Sequence, residues 1–200
     1  MKNLKNYLSI ALLVLGSGFI FTACDDDAPE PENTVELITN VTLIFTNTAD
    51  NSTVTARAVD PDGIGAQPIQ ILDDIELAAN TTYTLTYEIL DAQDPTDPED
   101  IGEEIEEEDD EHQLFYGFTE GAFVNPVGNG NIDNAADPVD YNDQDGNGCA
   151  LGLDTSWTTG DAQTGTFRTR LQHQPDIKTC TTGANDGDTD FDLTFVLIIN

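Results

Sequence analysis

Three groups of residues in this 200-residue chain have the types and spacing for cation chemistry. The first is Asp143-Gln144-Asp145-Gly146-Asn147-Gly148, which matches the D-x-D-x-N-G opening of a calcium loop. In that register Asp143, Asp145 and Asn147 offer side-chain oxygens and Gly148 makes the sharp turn. Cys149 offers its backbone carbonyl, and Asp154 stands where a bidentate Glu usually closes the site. The flanks read as loop and strand, so the expectation is a calcium loop in a β protein, with an ordinary Asp/Asn/Gly turn as the alternative. The second group is the acidic run before His112. Glu108 and Asp109 stand four and three residues ahead of His112, so on a helix their side chains meet on one face. Imidazole with carboxylates suits Zn²⁺ or another transition metal, and His173 is the only other histidine. If the strand carrying His173 ends near His112, two imidazoles and several carboxylates converge; otherwise this is a solvated acidic face. A haem held by both histidines would need a large apolar cleft, which no stretch supplies. The third group is Asn185 to Asp192, whose even-numbered acids share one strand face: a cation site, or an edge strand whose charges discourage pairing. No G-x-S-x-G, H-E-x-x-H or P-loop is present, so catalysis is not expected.

The elements that must position these groups are mostly strands. Alternation of apolar and polar residues recurs through Val35–Phe45, Val54–Ala58, Ile69–Leu77, Tyr83–Ile89, Leu114–Phe118, Phe167–His173 and Phe191–Ile199. Weaker strands lie near Val139 and over Leu153–Thr158. The pattern predicts an all-β fold, an antiparallel β-sandwich of seven to nine strands. One short acidic helix is expected from Pro98 to Glu111, with Asp97 as its cap. Its second half, Glu103 to Glu111, carries eight acids interrupted only by Ile105, and should fray against the helix dipole unless cations bind. Gly121 to Gly148 reads as a long loop. With 39 acidic against 6 basic residues and a formal charge of −33, the surface repels phosphate backbones, which excludes nucleic-acid partners. It attracts metal ions and basic protein patches.

The N-terminus carries an address. Lys2 and Lys5 precede an uncharged apolar run, Leu8 to Phe21, too short for a comfortable membrane span. It ends in Phe21-Thr22-Ala23-Cys24, which resembles the lipobox of bacterial lipoproteins. The implied organisation is a signal peptide over 1–23, an acylated acidic tether over 24–33 anchored through Cys24, and a single β-sandwich domain over 34–200. The acids Asp25, Asp26 and Asp27 after Cys24 resemble the export tag of surface lipoproteins in Bacteroidota. Cys149 and Cys180 then remain, and in an oxidising compartment two cysteines suggest one disulfide.

Several stretches together resemble an uncharacterised family of Bacteroidota lipoproteins. They are EIEEEDDEHQLF at Glu104–Phe115, Tyr141–Gly148 with Leu151-Gly152-Leu153, Trp157-Thr158-Thr159-Gly160, LQHQPDIK at Leu171–Lys178, and the strand from Asp188 to Phe195. Members sometimes carry the label type 1 periplasmic binding fold superfamily, which implies a two-lobed α/β protein; this chain is too short and too poor in helix for that fold. The resemblance implies a companion of TonB-dependent outer-membrane receptors. The two His-Gln pairs, His112-Gln113 and His173-Gln174, fall in its most recognisable segments. The leading expectation is a surface-exposed, lipid-anchored outer-membrane protein. It binds a divalent metal or metal complex through Glu108, Asp109, His112 and His173 in support of TonB-dependent uptake, with structural Ca²⁺ at Asp143, Asp145, Asn147, Cys149 and Asp154. The alternatives are a calcium-stabilised adhesion or glycan-binding module, for which Trp157 and a few tyrosines are the candidate platform, and a structural surface lipoprotein without ligand.

Overall fold

Alternation in the sequence becomes alternation in burial. In strand β1, Asn40–Asn47, the side chains of Val41, Leu43 and Phe45 are buried and those between them are not. The same rule makes β2 (Thr53–Val59), β5 (Thr82–Asp91) and β12 (Asp188–Ile199), whereas β7 (His112–Phe118) is buried on both faces except at Gly117, and β11 (Gln163–His173) alternates until its last three residues, which are all buried. A computed structural model describes residues 36–63 and 67–200; these belong to one compact unit, Asn33–Asn200. The segments expected to form a signal peptide and a tether anchored through Cys24, and Val35, lie outside the described residues. Short strands complete the set: β3 (Gln70–Ile71), β4 (Ile75–Leu77), β6 (Glu99–Asp100), β8 (Phe123–Asn125) and β9 (Asp140–Tyr141). The last strand to introduce is β10, Asp154–Thr159.

Two sheets form. One runs β3-β2-β1-β5-β10-β8, with β6 added to β5 and β9 to β10; the other runs β4-β12-β11-β7. Phe45 of the first sheet meets Phe167 of the second at 5.7 Å between ring centroids, and Trp157 meets Phe167 at 5.1 Å, so one aromatic-rich core joins the layers. This is the expected all-β, sandwich-like fold. Every ladder is antiparallel except β12–β4, which is parallel. The stretch Ile69–Leu77, expected as one strand, is split between the sheets: Leu72 still donates its N–H to the Arg57 carbonyl, Asp73 binds the Arg57 guanidinium at 2.7 Å, and the chain then crosses to pair with β12. Strand β10, expected to be weak, is central. Its buried side chains are Thr155, Trp157 and Thr159, and the threonines hide the apolar period because their hydroxyls are satisfied internally, by Trp157 Nε1 and by the Ala78 carbonyl.

The helix is shorter than expected. It spans Ile101–Glu107 instead of Pro98–Glu111, and its cap is Asp100, whose carboxylate accepts from the Glu103 N–H. Glu99 and Asp100 pair with β5. No basic residue occupies the last turn, and Glu108 already leaves helical geometry. The chain therefore turns through Glu108–Glu111 straight into β7, as the opposed dipole and acid charges require. Among the described residues no helix is long and apolar enough to cross a membrane.

Candidate metal centre

The antiparallel register of β7 and β11 places His112 directly opposite His173. Their rings stack with centroids 4.4 Å apart and 5° between planes, and both residues are buried. The turn after the helix brings Glu108 over this pair, so that one ligand atom each from Glu108, His112 and His173 lie within 4.8 Å of one another. Nitrogen and oxygen ligands about 2.1 Å from a tetrahedral metal stand about 3.4 Å apart, so side-chain rotations that close the set by about an ångström suffice. Two imidazoles with carboxylate suit Zn²⁺ and its neighbours better than calcium, which takes oxygens.

Nδ1 of His112 lies 3.2 Å from the Glu108 carbonyl oxygen. A carbonyl only accepts, so Nδ1 carries the proton and Nε2 the lone pair. His173 Nε2 lies 3.3 Å from a Glu111 carboxylate oxygen. Burial, and then the neighbouring His173, push His112 down to about 4, so it is neutral at pH 7. Carboxylates crowd the same end of the sandwich. Burial pushes Glu108 up, and the Glu36 and Glu111 charges add to the rise. Burial together with Glu36 and Glu99 takes Glu104 up to about 7. Such an assembly of mutually repelling acids around two buried imidazoles favours a bound cation.

Of the four residues expected at a transition metal, Glu108, His112 and His173 come together and Asp109 does not. The helix ends before Asp109, which removes the shared face; its backbone carbonyl instead accepts a hydrogen bond from the Lys178 ammonium. Asp190 is the residue that alternation misplaced. Between Leu171–Phe191 and Gln172–Thr189 the β11–β12 register slips, and Asp190 is the extra residue of this bulge. The neighbouring acids Asp188 and Asp192 face solvent, but the Asp190 side chain is fully buried, with Oδ2 3.8 Å from His112 Nε2. Burial pushes its carboxyl up to about 7, against the pull of His173 and of the Glu36 backbone N–H, with the Glu36 and Asp188 charges adding to the rise. Two glutamines hold the turn leading into β12: Gln172 donates to the Asp186 carbonyl, and Gln174 to those of Gly183 and Asp186. Gly187, at φ +83°, completes the turn; a Cβ there would stand 2.2 Å from the His173 carbonyl oxygen, so only glycine lets it close against β11.

The expected calcium loop has other partners. Asp143 accepts from the backbone N–H groups of Gly152 and Asp154, and Asp145 from those of Asn147 and Cys149. The second Asp145 oxygen binds the Lys178 ammonium at 3.1 Å, with both side chains buried. Asp154 accepts from the Asn142 amide, the Cys149 carbonyl accepts from the Asp145 N–H, and Asn147 faces solvent. The set Asp143, Asp145, Asn147, Cys149 and Asp154 is thus an internally bonded turn that encloses a lysine ammonium. The Cys149–Cys180 disulfide forms as expected, with Cα atoms 4.6 Å apart, and ties this turn to the loop carrying Lys178. Stacked imidazoles cannot occupy the two axial positions of one haem, which removes that option. Trp157 is fully buried, and among the described residues no aromatic side chain is exposed, so the stacking platform expected of a glycan binder is missing there. Comparison of the chain with protein-family models, with curated proteins and with solved structures gives no match in any of the three.

Proposed function

We propose that this protein is a non-enzymatic, lipid-anchored outer-membrane protein, facing the cell surface, that binds a divalent transition metal in support of uptake by a TonB-dependent receptor. The single observation behind the metal is the stacked, buried pair His112 and His173 with a Glu108 ligand atom within 4.8 Å of one from each. Zn²⁺ is the first candidate, because a site of buried imidazole and carboxylate matches its preferences. The anchor and its location rest on the sequence alone, on Cys24 and the acids that follow it. The strongly negative surface, with a formal charge of −33, suits a protein that concentrates cations near its site.

Thermal unfolding of the chelator-stripped chain tests the metal. A ligand that binds only the folded state adds about 2.7 kcal/mol of stability at a hundredfold excess over Kd. Micromolar Zn²⁺ should raise the midpoint, and His112→Ala with His173→Ala should remove that rise. A midpoint indifferent to Zn²⁺, Co²⁺, Ni²⁺ and Cu²⁺ would end the metal reading. The anchor is tested separately by metabolic labelling with an alkyne-bearing fatty acid, which should mark the natural chain and not Cys24→Ala.

A further inference from the structure

The metal reading leaves one part of this end of the sandwich unexplained. His112 Nε2 and both carboxylate oxygens of Asp190 are inaccessible to solvent and have no hydrogen-bond partner among the described residues. Both side chains are fully buried. Buried polar atoms without partners are rare, because each forfeits the hydrogen bonds it made to water. Here they face one another. The Glu108 carbonyl holds the proton on Nδ1, so Nε2 presents a lone pair, and 3.8 Å away Asp190 Oδ2 presents another. Two acceptors opposed across 3.8 Å lack something positive between them. The separation exceeds hydrogen-bond range. It is close to the ligand–ligand edge of about 3.4 Å around a tetrahedral metal with bonds near 2.1 Å.

The geometry points to Asp190 as a fourth ligand of the proposed centre, with the metal seated between Asp190 Oδ2 and His112 Nε2 and the bulge in β12 as the device that delivers the carboxylate. This inference rests on the metal reading above and sharpens it. Without the bulge, strand alternation would turn Asp190 outward with Asp188 and Asp192. With it, Asp190 stands beside the Glu108, His112 and His173 set, 3.8 Å from His112 Nε2, and the four together supply two nitrogens and two carboxylates, the composition and count of a filled tetrahedral zinc site. Such a site keeps no open position for substrate, in accord with binding rather than catalysis. Asp190 comes from a strand remote in sequence from the helix and from both histidines, so the metal would tie together β7, β11, β12 and the turn after the helix.

The test is competition titration of the full-length chain with Zn²⁺ against a chromophoric chelator, together with the visible spectrum of the Co²⁺ form, for the natural chain and Asp190→Asn. Loss of an outer-shell partner costs about 10–100-fold in affinity, so loss of a ligand should exceed about 100-fold. The Co²⁺ bands should also change, because the coordination sphere changes. Asp190→Asn keeps the side-chain shape and should unfold no earlier than the natural chain when both are metal-free. If the variant does not fold, the ¹³C signal of the Asp190 carboxyl in the natural chain replaces it: the signal should shift on addition of one equivalent of Zn²⁺. Unchanged affinity with an unchanged Co²⁺ spectrum, a loss within 10–100-fold with that spectrum unchanged, or a carboxyl signal indifferent to Zn²⁺ each overturns Asp190 as a ligand and leaves the three-residue metal site standing. A natural chain that does not bind Zn²⁺ overturns both.

Discussion

In the loop that begins at Asp143, carboxylates are surrounded by donors: four backbone N–H groups and the Lys178 ammonium take the oxygens of Asp143 and Asp145. At the ends of β7, β11 and β12 the reverse holds. Imidazoles and carboxylates are packed together, and His112 Nε2 and the Asp190 oxygens complete no hydrogen bond among the described residues. Acid spacing in sequence describes both regions equally well. What separates them is whether the fold supplies positive partners of its own. A region that does is already satisfied and gains little from a cation, whereas a region that does not is held at a cost that a cation would offset.

The contrast can be broken most severely at the histidines. The variant His112→Ala/His173→Ala should lose Zn²⁺ affinity by about a thousandfold or more, beyond the ~10–100-fold of an outer-shell change, in a chelator-competition titration. The next largest effect belongs to the other region. Lys178→Met leaves the Asp145 carboxylate buried without its partner and should cost about 3–5 kcal/mol in urea unfolding, since breaking a buried pair from one side strands a charge. The same variant sharpens the comparison: millimolar Ca²⁺ should then raise its midpoint, while the natural chain, with the ammonium in place, should not respond. Cys149→Ser/Cys180→Ser opens a loop of sequence separation 31 and should cost about 3–4 kcal/mol by the loop-entropy relation, measured the same way.

The last effect is a pH dependence. In the unfolded chain Asp190 titrates near 3.8, and in the metal-free folded chain near 7. Between these values the folded state holds the extra proton, so this group favours folding below pH 3.8 and disfavours it increasingly as pH rises towards 7. His112 works the other way. Its folded value near 4 lies below the unfolded 6.5, so its contribution is full above 6.5 and is lost as pH falls towards 4. The two oppose one another in the natural chain. Asp190→Asn removes one of them, so its stability relative to the natural chain, with chelator present, should rise by about 3–4 kcal/mol between pH 4 and pH 7.5. A difference independent of pH would show that Asp190 does not titrate in this range.

Much of this is legible in residues, and the rest depends on register. Seven strands of six or more residues form, and six of them follow apolar alternation in the sequence. The seventh, β10, is obscured because Thr155 and Thr159 fill core positions that alternation assigns to apolar residues. The Cys149–Cys180 disulfide follows from cysteine count and from the oxidising compartment that the N-terminal residues lead one to expect. The link between Glu108 and His112 is legible as a four-residue spacing, although a turn, not a helix, realises it. That His173 falls opposite His112 is a property of how β7 aligns on β11, which no local pattern encodes. Asp190 is harder still, because Asp188, Asp190 and Asp192 look equivalent until the ladder slips by one residue. The calcium motif fails for a related reason: Lys178 is distant in sequence, and nothing in Asp143–Asp154 announces that an ammonium will arrive there.

The most direct test of the central claim is calorimetric titration of Zn²⁺ into the chelator-stripped full-length chain. One equivalent should bind with micromolar or tighter affinity, and the heat should vanish in His112→Ala/His173→Ala. Absence of binding, or binding of equal strength in that variant, would contradict a metal centre at the stacked histidines.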